Sequence, residues 1–112
     1  MLEEILTDPE LTHVNFDISW DEVAKYIVAT PEASRSTAAL IDKYPDRFLV
    51  GTDNVALTDP KAVFVVFNQY QPLWDALSPQ ASEALRKGHF ARLFDTAAEK
   101  VRRWEKANPA PL

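Results

Sequence analysis

The stretch RFLVGTDNVA, residues 47–56, decides how the rest of the chain is read. Phe48 to Gly51 form a short apolar run, led in by Arg47, and read as a buried strand that stops on Thr52 and Asp53. Side chains alternate along a strand, so Leu49, Gly51 and Asp53 share one face and Phe48, Val50 and Thr52 the other. The strand therefore ends on a hydroxyl and a carboxylate, and the purpose of that carboxylate becomes the functional question.

Upstream, THVNFDIS over residues 12–19 alternates strictly, with Val14, Phe16 and Ile18 on one face and His13, Asn15 and Asp17 on the other. Ser19-Trp-Asp-Glu22 has the pattern of a capping box, followed by an apolar stripe of Trp20, Val23, Ala24, Ile27 and Val28. Thr30-Pro31 starts a second helix that runs to about Lys43, because Pro45 forbids continuation. Two strands joined by a helical crossover of about 28 residues are expected to be parallel, with a right-handed connection.

The remainder reads as helical. Leu2, Ile5 and Leu6 make a short turn ended by Pro9. Asp59-Pro60 caps a helix apolar at Val63, Phe64, Val66 and Phe67, broken or kinked by Pro72 near Trp74. Ser78-Pro79 starts another, which Gly88 is expected to end in the left-handed conformation. His89 then begins a last helix with Phe90, Leu93, Phe94, Ala97, Val101 and Trp104 on one side, read as a core stripe and closed by Asn108-Pro109. The fold class is thus α/β and helix-rich, with two short parallel strands, a helical crossover and a C-terminal helical tail in a single domain over 1–112.

Composition narrows the function classes. An apolar fraction of 46% with 26% charged residues is that of a globular chain. Twelve Lys and Arg against 17 Asp and Glu give a net charge of -5, which repels phosphate backbones and anionic headgroups, so neither nucleic acid nor membrane is an expected partner. Cys is absent, which excludes thiol chemistry and accords with a cytoplasmic location.

Asp17 and Asp53 both fall at C-terminal strand ends, the edge where α/β sheets place ligands. Each has a structural alternative as a turn or cap residue satisfied by backbone amides, the stronger alternative for Asp17. His13 and Asn15 share the polar strand face with Asp17, yet at about 3.3 Å per residue His13 lies some 13 Å from it, too far to share one metal. Lys100, Arg102, Arg103 and Lys106 read as a solvated face at the C-terminal end of a helix.

HVNFDISWDEVAKYI, YPDRFLVGTDNVA and LSPQASEALRKGHFARLF together resemble the closing section of the amidohydrolase-like metal-dependent hydrolases, a group that includes decarboxylases of aromatic acids. The resemblance spans roughly residues 11–107 and implies the last two βα units of a (β/α)8 barrel. It matches Asp53 to the eighth-strand aspartate that binds the metal, Zn or Mn, or acts on its bound water. His89 stands where that family usually has asparagine. The family's remaining ligands are histidines on earlier strands, and neither His13 nor His89 matches them.

The resemblance therefore implies a barrel's closing section apart from its earlier strands, with no cofactor expected in the isolated chain. The first expectation is a non-catalytic module that self-associates as a homodimer through the bare edges of its sheet. The second is part of a split hydrolase or decarboxylase completed by a complementing barrel chain. The third is an unrelated small helical interaction protein.

Overall fold

The computed structural model describes residues 1–56 and 58–109, so the expected domain over 1–112 reaches beyond it at residues 110–112. Helix α1, Leu2–Thr7, gives way at Asp8 to a 3-10 turn over Pro9–Leu11, whose second amide, that of Glu10, is bonded by the Asp8 carboxylate at 2.8 Å. Strand β1, Phe16–Asp17, leads through a sharp corner into α2, Asp21–Ile27. Helix α3 then spans Pro31–Lys43, and strand β2 is Phe48–Leu49. Beyond it lie α4, Ala62–Gln69, α5, Gln71–Ala76, and α6, Pro79–Glu83. A π-helical turn over Ala84–Gly88 joins α6 to α7, His89–Ala107.

Several boundaries follow from the chemistry expected of them. Thr30 Oγ1 accepts the Ala33 amide at 3.1 Å and Ser78 Oγ accepts that of Ala81 at 3.2 Å, each with proline in the first turn. Asp42 of α3 also accepts the Ser78 hydroxyl at 2.9 Å, which fixes α6 against α3. Pro72 lies in the first turn of α5, so the break from α4 falls at Tyr70.

The strands are parallel, with Phe16 opposite Phe48 and Asp17 opposite Leu49. They are much shorter than the alternation suggests, because the backbone turns away at Trp20 and leaves the residues after Leu49 no neighbouring strand. Phe16 and Phe48 meet with ring centroids 5.7 Å apart and face the helices. Behind them Ala38 and Ile41 of α3, Val66 of α4, Tyr70, Leu73 of α5, Leu77 and Leu85 form the core.

Four expectations are corrected. The Ser19 capping box does not form, because the backbone turns at Trp20, φ 94°, which becomes the N-cap of an α2 that starts at Asp21, one residue further on; the Ser19 hydroxyl donates to Asp17. Gly88 does not terminate a helix. Its φ of -63° is right-handed, and the π-helical turn carries the chain into α7. The stripe on α7 is not core. Beyond Leu93 the helix projects away from the body, leaving Phe90, Phe94, Val101 and Trp104 exposed, Trp104 to 65%. Phe64 on α4 and Trp20 are likewise exposed rather than buried. The radius of gyration is accordingly 16.9 Å, against about 13 Å for a compact chain of this length.

The N-terminal ends of both strands are held by side chains bonding backbone. Arg47 donates from Nε to the Val14 carbonyl and from Nη2 to that of Leu11, each at 2.7 Å, and from Nη1 to that of Leu6 at 3.4 Å. One guanidinium thus satisfies carbonyls of three successive turns and ties the N-terminal segment to β2. Buried His89 takes an N–H from Arg92 on Nδ1 at 2.8 Å, so its Nε2 carries the proton and donates to Asn15 Oδ1 at 2.8 Å. Arg92 also donates to the Asp46 carbonyl at 3.2 Å. The start of α7 is therefore anchored to the residues preceding both strands.

Burial first, then the neighbouring Arg92 charge, lowers the His89 pKa below its ordinary 6.5. The folded state favours neutral imidazole, so this contribution is present above pH 6.5 and is lost as pH falls through the lowered folded value. Urea unfolding at about pH 8 and about pH 5 is expected to show an acid-side loss of stability that is smaller in His89→Asn. An identical loss in both proteins would remove His89 as its source.

Candidate functional site

The two strand ends converge. Asp17, at the end of β1, and Asp53, four residues beyond β2, line one concavity of about 420 Å³ together with Ser19 and Trp20. The carboxylates are 36 positions apart in the chain, and only the parallel pairing of β1 with β2 brings them to the same edge.

Their local chemistry differs. Asp17 Oδ1 accepts the Ser19 amide at 2.8 Å and also the Ser19 hydroxyl, so its carboxylate closes the corner after β1. That is the structural role allowed for it by the sequence. Among the described residues Asp53 has no hydrogen-bond partner, and its backbone is left-handed at φ 49°. Trp20 is also left-handed, at φ 94°, a conformation costly for a bulky side chain. Two of the three described non-glycine residues with positive φ thus line this concavity, a concentration of backbone strain typical of binding sites.

Gly51 lets the corner close. A Cβ there would stand 2.9 Å from Ser19 Oγ, so the strand that carries Asp53 must present bare backbone where Ser19 bonds Asp17. Tyr70, fully buried at the junction of α4 and α5, supports the corner from beneath. Its hydroxyl donates to the Ile18 carbonyl and lies 3.1 Å from that of Trp20. Nothing in the one-dimensional pattern marks Tyr70 or Arg47 for these roles, because their partners are backbone carbonyls distant in sequence.

His13 and Asn15 belong elsewhere. His13 is exposed on the segment before β1, and Asn15 bonds His89, so both sit at the opposite strand end from the concavity. Among the described residues no group of three His, Cys, Asp or Glu side chains is placed to hold a metal ion. A structural or catalytic zinc needs at least three protein ligands. Among the described residues Asp17 and Asp53, one of them engaged by Ser19, do not meet that requirement by themselves, so these residues do not fit the metal of the resembled family.

No protein-family model matches the chain, and neither a curated protein nor a solved structure matches it. No helix among the described residues is long and apolar enough to cross a membrane.

Burial first, then the carboxylates of Asp17 and Asp21, push the Tyr70 hydroxyl up to about 12 from 10.0. The folded state resists ionisation, so stability is full below pH 10 and falls as pH rises through about 12. Tyr70→Phe is expected to lose about 1 to 3 kcal/mol at neutral pH, from the Ile18 carbonyl deprived of its donor, and to show a shallower alkaline decline. Denaturant titrations across that range measure both effects.

Asp53→Ala is expected to cost no more than about 1 to 2 kcal/mol, because alanine tolerates positive φ less well than aspartate, and Asp53→Gly still less. Equal large losses in both variants would mean that the carboxylate holds the fold.

Proposed function

We propose that the chain is a non-catalytic module when alone, with the character of an amidohydrolase-like barrel's closing section, and that it acts by association. The observation that carries this reading is the pair of carboxylates Asp17 and Asp53 in one concavity, with no third metal-ligating side chain beside them among the described residues. Among the described residues each short strand also pairs with the other alone, and an edge strand is suited to strand addition. A second copy or a complementary barrel chain supplies such strands.

A second reading rests on Asp53 itself. Its exposed carboxylate has no hydrogen-bond partner among the described residues and sits at positive φ beside Asp17 and Trp20. This favours a split metal-dependent hydrolase or decarboxylase in which another polypeptide brings the histidines and Asp53 completes the set. In that complex Asp53→Ala abolishes activity while leaving assembly intact.

The two readings share one expectation for the isolated chain. After equilibration with Zn²⁺ or Mn²⁺ and dialysis, elemental analysis is expected to find metal well below one equivalent. One retained equivalent, lost in Asp53→Ala, would replace both readings with a self-sufficient metal site.

A further inference from the structure

The exposed stripe of α7 has a spacing that a core-facing surface helix does not require. Within α7, Phe90, Phe94, Ala97, Val101 and Trp104 follow one another at intervals of four, three, four and three, with Asn108 as the cap just beyond the last turn. This is the a/d spacing of a coiled coil, with Phe94 and Val101 at a and Phe90, Ala97 and Trp104 at d. The outermost positions b, c and f carry Asp95, Thr96, Glu99, Arg102, Arg103 and Lys106, none of them apolar. Phe90 and Phe94 already stack at 4.4 Å, 57% and 51% exposed, so the seam is preformed and uncovered.

We infer that α7 pairs with α7 of a second copy of this chain as a parallel, in-register two-stranded coiled coil. Three observations select this occupant. A 3-4 seam is filled by a helix of the same period, and α7 itself supplies one with small Ala97 at its centre, where two helices can approach closely. In a parallel pair Lys100 at g faces Glu105 at e of the second copy, and the twofold axis repeats that opposite-charge contact. An antiparallel pair that matches Phe94 with Trp104 and Ala97 with Val101 instead sets Lys100 against Lys100.

Area gives the third argument. The chain exposes 8070 Å², whereas a compact chain of 12.7 kDa exposes about 6,200 Å². The excess of about 1,800 Å² is more than twice the roughly 800 Å² that each partner contributes to a standard interface. This pairing uses a surface remote from the strand ends and does not depend on the amidohydrolase-like reading.

Sedimentation equilibrium of the full chain at micromolar concentration is expected to give twice 12.7 kDa. Val101→Glu, a seam position without core contact, is expected to weaken the dimer more than tenfold with unchanged cooperative unfolding of the body. Arg103→Glu, on the outer face, is expected to leave the mass unchanged. Because the chain has no native cysteine, Asn108→Cys reports orientation. Oxidation links two copies if they are parallel, whereas the antiparallel alignment places those residues about 27 Å apart along the axis. A monomer throughout the dilution series, a dimer indifferent to Val101→Glu, or a dimer that Asn108→Cys does not cross-link would each overturn the inference.

Discussion

The buried Tyr70 hydroxyl beneath the carbonyls of Ile18 and Trp20 is the constraint on which the strand ends depend. The sheet has two residues in each strand, and a ladder that short is not stable by its own hydrogen bonds. The chain leaving β1 must also hold Trp20 at positive φ before α2 can begin. A donor supplied from the helical layer compensates the Ile18 carbonyl where no strand partner exists. Phe16 and Phe48 then bury the adjacent strand face against the same helices. The corner that presents Asp17 and Trp20 is thus set by a residue some fifty positions further along the chain.

The two ends of the sheet differ in character. At the N-terminal end Arg47, His89, Arg92 and Asn15 form a network in which side chains are matched to backbone carbonyls or to one another. At the C-terminal end lie two residues of positive φ and the Asp53 carboxylate, which has no partner among the described residues. Parallel sheets ordinarily place ligands at their carboxyl ends, and here the strain and the uncommitted charge gather at that end.

Burial is similarly uneven. The layer of α3, α5 and the strands encloses a well-formed core, while α7 leaves the body after its first turn and carries its apolar seam into solvent. The helix is anchored where His89 meets Asn15, and its apolar seam is not covered. An exposed apolar face of this kind is suited to association.

The helix starts at Thr30-Pro31 and Ser78-Pro79 and the parallel strand pair were legible in the sequence, because caps, proline and alternation act over a few residues. The sequence likewise determined the apolar stripe of α7, but not whether that stripe is buried, since periodicity records which residues share a face and not what lies opposite. Tertiary structure alone decided that Ser19 bonds Asp17 instead of capping α2, that Gly88 carries a helix onward, and that Asp53 has no partner among the described residues. Each of these outcomes turns on what lies nearby in space. The positive φ of Trp20 moves the start of α2 past Ser19, whose hydroxyl donates to Asp17, and Arg47 and Tyr70 act on carbonyls from distant segments that only folding brings within hydrogen-bond reach.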